Sequence, residues 1–149
     1  MSADKDVSPS YEEYCVDYAF RPEFKPEFVS LWEGWLGVAN LHKLDQVTLD
    51  EWGRFNVFLR RLAQRYTLFS LSHRAKSVTE VVRIDDFLST HAQAMSKEAA
   101  QFSVFLIPEL SCAVSESWDY TYIIWHKESG VVETLSPLIK ACELAHFAR

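Results

Sequence analysis

From Thr48 to Tyr66 the large apolar residues fall at Trp52, Phe55, Leu59, Leu62 and Tyr66, the three-and-four spacing of a helix with one buried face. Thr48 followed three residues later by Glu51 is a capping-box signature, so this helix starts at "TLDEW". Two earlier segments carry the same period. Tyr11, Tyr14, Cys15 and Tyr18 predict a helix beginning near Ser10. Phe28, Leu31, Trp32, Trp35 and Ala39 predict another from about Glu27 to Asn40, separated from the first by Pro22 and Pro26. Gly34 and Gly37 lie inside that second segment, where each costs about 1 kcal/mol against alanine. Such glycines are expected where another backbone, or a partner surface, approaches closely.

The period then changes. "TLFSLS", residues 67–72, reads as a short strand. Residues 77–100 admit two readings. Ser77 and Glu80 can cap a helix, while "TEVVRI" reads equally well as a strand. A helix over part of 85–100 fits both, with Leu88, His91, Ala92 and Met95 at helical spacing. "FSVFLI" is apolar on both faces, as a buried strand must be, and Pro108 ends it. "LSCAVSES" alternates, turning Leu110, Cys112 and Val114 inward. "ESWDYTYIIWHKESG" follows as a strand ending in a turn at "ESG", with "VVETL" as its hairpin partner. Ser136 and Pro137 read as a helix start, and the last helix runs to about Phe147. These elements predict an α+β fold: a helical N-terminal half, an antiparallel meander of about four strands, and a C-terminal helix packed on the sheet. They predict a single domain over 1–149, with 1–10 as a flexible lead-in.

Composition agrees with a globular chain. Of 149 residues, 48% are hydrophobic and 24% charged. The polar start "MSADKDVSPS" has no apolar core of a secretory signal, and no apolar run is long enough to span a bilayer. Cys15, Cys112 and Cys142 are far apart and odd in number, which implies reduced, packed thiols in a cytoplasmic protein. The formal net charge is −6. Residues 1–53 hold 11 acids and 4 bases, whereas residues 54–97 hold 3 acids and 8 bases. The acidic total argues against general nucleic-acid binding, since phosphates are repelled at long range. The basic middle leaves room for a local anion site.

Several chemistries are excluded by what is missing. The four glycines form no phosphate-cradling turn, the five histidines form no pair on one helix face, and no G-x-S-x-G elbow is present. No cofactor, no metal site and no catalytic residue is therefore expected.

Four constellations remain. Cys112, His126 and Asp119 contain the right groups for nucleophilic catalysis. In a regular strand, however, Asp119 and His126 face opposite sides, roughly 23 Å apart. Arg54, Arg61 and Arg65 make a helical stripe suited to phosphate or carboxylate, or simply to solvent. Arg60, Arg74, Lys76 and Arg83 extend the basic region. Glu12, Glu13 and Asp17, interleaved with aromatic residues that continue to Trp32 and Trp35, combine steering charge with anchoring rings. Trp125 and Lys127 mark the less apolar face of the long strand, open to this chain's core or to another molecule. The expected function is a non-enzymatic protein-binding domain, an acidic inhibitor or immunity-type protein whose partner carries a basic surface. The expected partner-binding residues are Glu12, Glu13, Asp17, Trp32, Trp35 and Trp125. Two alternatives are an RNA- or nucleotide-associated accessory protein using the arginine stripe, and a small enzyme with a pocket near Tyr120, Tyr122 and His126.

Overall fold

Seven antiparallel strands form the main sheet of the computed structural model, which describes residues 8–148. In chain order the strands are β3 (Lys25–Ser30), β4 (Phe69–Ser72), β5 (Ser77–Glu80), β6 (Val104–Ile107), β7 (Cys112–Glu116), β8 (Thr121–His126) and β9 (Ala145–Phe147). Their spatial order is β5-β4-β6-β7-β8-β3-β9. A separate two-stranded hairpin joins β1 (Cys15–Val16) to β2 (Ala19–Phe20). The helices are α1 (Tyr11–Tyr14), α2 (Leu49–Arg65), α3 (His91–Met95) and α4 (Gly130–Ala141).

The mixed α+β class stands, but the expected arrangement does not. The sheet has seven strands rather than about four, and its strands and helices are dispersed along the chain. The expected helix over 27–40 is the largest departure. Pro26 favours extended backbone at Lys25, and the adjacent edge of β8 needs hydrogen-bond partners. Lys25–Ser30 therefore pairs with β8, from Lys25 opposite His126 to Ser30 opposite Thr121. After it the chain runs through an irregular segment, with Gly37 at φ 70, into a 3-10 stretch at Val38–Gln46. The first expected helix shrinks to one turn. Ser10 and Glu13 form a complete capping box, but Asp17 and Tyr18 both adopt left-handed φ and turn the chain into the β1–β2 hairpin.

The other correction is at the C-terminus. "VVETL" is helical, and α4 begins at Gly130 instead of Ser136. Val131, Leu135, Leu138, Ile139 and Cys142 keep one helical stripe that runs straight through Pro137. Helix α4 then stops at Ala141, and Ala145–Phe147, expected to be helical, adds to the sheet beside β3. In the ambiguous region, Ser77–Glu80 is strand and His91–Met95 is helix. The Thr48 helix forms as its pattern predicts. Thr48 Oγ1 accepts from the Glu51 amide at 3.1 Å, and the Glu51 carboxylate accepts from the Thr48 amide at 2.9 Å. Residues 1–7 of the expected lead-in lie outside the described residues; Pro9 is buried and Ser10 caps α1.

The alternation of the central strands divides the apolar residues between two cores. Phe105, Ile107, Cys112, Val114, Tyr122 and Ile124 face α2 and α4. Val104, Leu106 and Ala113 face the other way, where Tyr11, Tyr14, Cys15 and Phe24 of the N-terminal segment cover them. Every residue of β6 and β7 is buried. Among the described residues, no helix is long and apolar enough to cross a membrane.

The three cysteines are free and buried. Burial pushes the Cys112 thiol from 9.0 up to about 12, the Cys15 thiol to about 11, and the Tyr14 phenol from 10.0 to about 12. Each group is held neutral in the folded chain, so the folded state keeps protons that the unfolded state releases first. Their contribution to stability is full below about pH 9 and declines as pH rises through 11 to 12. The urea midpoint should therefore fall continuously from pH 9 to pH 11, and thiol reagents should label the cysteines only on unfolding. Rapid labelling of Cys112 in the folded protein would contradict this packing.

Candidate functional site

One end of the sheet collects exposed apolar side chains. There β3 leaves the sheet at Ser30, opposite Thr121, and the β7–β8 connection turns through Ser117–Tyr120. Asp119 and Tyr120 have left-handed φ values of 58 and 57, which tips Trp118 out of the strand register. Two adjacent cavities open at this end and share Leu44 and Asp119 as a common wall. The smaller, about 140 Å³, lies between Trp32, Trp35, Leu36 and Leu41. The larger, about 240 Å³, is bounded by Asp45, Met95, Phe102, Trp118 and Tyr120. Trp35 is 58% exposed and Trp118 54% exposed, with Val38, Leu41 and Met95 also open to solvent.

The floor of this region is closely packed and hydrogen-bonded. Tyr120 packs edge-on to Trp32 and Trp52, stacks on His91, and shares a 2.9 Å hydrogen bond between its hydroxyl and His91 Nε2. Trp52 Nε1 and Asn56 Nδ2 both donate to the Ser89 carbonyl, which fixes the start of α3 against α2. Burial, with the Asp45 and Asp119 carboxylates nearby, raises the Tyr120 phenol above its ordinary value. Among the described residues neither Asp45 nor Asp119 has an ion-pair partner. A broader groove of about 460 Å³ lies beside α3, lined by Asp86, Ser89, Gln93, Ser96, Lys97 and Ser103 among others. Its cation is already engaged, since Lys97 Nζ meets the buried Glu116 at 2.9 Å.

The six residues expected to bind a partner do not make one patch. Trp32 and Trp35 belong to the aromatic end. Glu13 lies at the opposite end of the strands, beside Pro108, Ser111 and Lys127. Glu12 lies within α1, where its carbonyl accepts from Arg21 Nε, and Asp17 is at the tip of the β1–β2 hairpin. Trp125 stands between these ends and is half-buried. Phe20 stacks on it at 4.8 Å, and its Nε1 donates to Ser115 Oγ at 3.0 Å. The arginine stripe also divides. Arg54 donates to the Glu143 carbonyl at 3.0 Å, just beyond the end of α4, whereas Arg61 and Arg65 are exposed. Arg60 pairs with Asp85 at 3.1 Å on the surface.

Cys112 and His126 are direct cross-strand neighbours. The thiol is nevertheless held neutral by burial, His126 Nδ1 is buried without a hydrogen-bond partner among the described residues, and Asp119 belongs to the far turn. A second histidine has fuller company. His146 Nδ1 meets Glu27 Oε2 at 2.6 Å, and its Nε2 meets Ser136 Oγ at 2.9 Å. The order serine–histidine–carboxylate resembles a hydrolytic triad. Ser136 lies inside α4, however, where backbone amides are consumed by helical bonds, and Pro137 next to it has none. No amide is left there to hold an oxyanion. The three residues instead tie β9 and α4 to β3 across 119 residues of sequence.

Trp118, Asp119, Asp45 and Met95 were not foreseen as a group. The available signal is the Asp-Tyr dipeptide, which occurs at 17–18 and 119–120, where two consecutive residues take left-handed φ. Aspartate tolerates this conformation, and its presence argues for a turn over a continuous strand. Compared with protein-family models, curated proteins and solved structures, the chain matches none.

Replacing either partner of the Glu27–His146 pair leaves a buried polar group unmatched. Glu27→Ala and His146→Ala should each lower unfolding free energy by about 2 kcal/mol in urea melts. The double variant should cost clearly less than the sum of the two single variants. Additive losses would mean that the two side chains act independently.

Proposed function

We propose that this chain is a non-enzymatic protein-binding domain of the inhibitor or immunity type, and that it docks its partner through the aromatic end of the sheet. The observation that carries the reading is the pair Trp35 and Trp118, both more than half exposed beside unpaired carboxylates. Tryptophan is among the residues most often dominating binding energy at interfaces, and leaving such rings in water is unfavourable unless something covers them. Asp45 and Asp119 around them, with a net charge of −6, favour a basic partner and a rapid, salt-sensitive encounter. The hydrogen-bonded floor at Tyr120 supports the same reading, because a surface already held by its own contacts has less to order on binding. A cytoplasmic setting fits three buried, unpaired thiols.

The test is affinity capture from cells of the source, followed by calorimetry with the purified partner. The Trp35→Ala/Trp118→Ala double variant should bind at least about 100-fold more weakly than the parent. Glu12→Lys/Glu13→Lys, at the opposite end, should bind within threefold of it. A partner that binds the double tryptophan variant as tightly as the parent would overturn the reading.

A further inference from the structure

The cavity between Trp32 and Trp35 has a composition narrower than that of a general apolar groove. At about 140 Å³ it is well below the roughly 300–1,000 Å³ of ordinary small-molecule sites, and close to the size of one long side chain. Its walls are indole rings and leucines along most of their extent. Ser30, Thr121 and Asp119 supply the polar part, and no lysine or arginine lines it. A mostly apolar cavity of this size beside an aspartate with no ion-pair partner among the described residues suits a group with a hydrocarbon stem and a positive head. Lysine combines the two, and its ammonium is also drawn to indole faces.

Gly34 adds an independent observation. It lines this cavity, and a Cβ built on it would meet nothing within 4 Å. Its φ lies outside the left-handed region, unlike that of Gly37. Neither close packing within the chain nor backbone geometry accounts for glycine at this position. What the missing side chain leaves is open room at the cavity.

We infer that the Trp32–Trp35 cavity is a receptor for a single lysine side chain of the partner protein, with Asp119 receiving the ammonium. This deepens the docking reading and rests on it for the source of the lysine, while the pocket itself is testable without any partner.

The probe is n-butylammonium, the lysine side chain alone, titrated into the ¹⁵N-labelled protein at low salt. The Trp32 and Trp35 indole signals and the Gly34 amide should shift saturably, with half-saturation at millimolar concentration. n-Pentanol, similar in length but neutral, should bind at least tenfold more weakly. Gly34→Ala places a methyl group in open space at the cavity and should keep the parent's thermal midpoint while weakening butylammonium at least fivefold. Asp119→Asn should do the same, because asparagine accepts the left-handed φ of 58 that this turn requires. Linear, unsaturating shifts would overturn the inference, as would equal affinity for pentanol or unchanged affinity in both variants. Because the readout is a small cation, failure here leaves the tryptophan-dependence of partner capture as a separate result.

Discussion

Strands β6 and β7 expose no residue on either face, and that double burial sets the rest of the architecture. A sheet with apolar residues pointing both ways must be covered twice. Helices α2 and α4 cover one side with Phe55, Phe58, Leu62, Leu135 and Ile139. No long helix is left for the other side. The N-terminal segment serves there as a thin layer, one helical turn and a two-residue-loop hairpin, anchored by Tyr11, Tyr14 and Phe24. Tyr11 shares a 2.9 Å hydrogen bond with His73 at the β4–β5 turn, and Phe20 stacks over Trp125. The aromatic richness of the chain thus serves mainly to fill two shallow cores in place of a single deep one.

The sequence was most legible where local signals and tertiary demand coincide. The Thr48–Glu51 box, the amphipathic stripe behind it and the doubly apolar "FSVFLI" all appear where their patterns place them. Lys25–Ser30 was misread because Phe28, Leu31 and Trp32 satisfy a helical period by coincidence. What decides its state is the unpaired edge of β8, almost 100 residues away, which no local window contains. The C-terminal helix was misread for the opposite reason. Pro137 supplies a strong local start signal, yet the stripe from Val131 to Cys142 continues through it, so packing outweighs the lost helical bond.

The same asymmetry governs the candidate site. Trp32 and Trp35 could be singled out from composition alone. Their company could not, because Trp118 and Asp119 leave the strand register only through two consecutive left-handed residues. Asp45 and Met95 come from segments whose placement depends on the whole sheet. Strand alternation separates Tyr122 and Ile124, packed against the helices, from Trp125 on the other side. The residues that leave that alternation are the ones that reach solvent.

Strand β3 is held between β8 and β9, so an early segment of the chain has the last described strand as one of its two neighbours. During ribosomal synthesis its outer edge therefore stays bare at least until Ala145–Phe147 has been made. For that interval Phe28 and Trp35 lack Phe147, the ring that finally closes their cluster. Contacts of such long sequence separation form late, and an uncovered strand edge with aromatic side chains invites pairing with another nascent chain. Closure of this edge of β3 against a neighbouring chain thus waits on Ala145–Phe147 taking its place beside it.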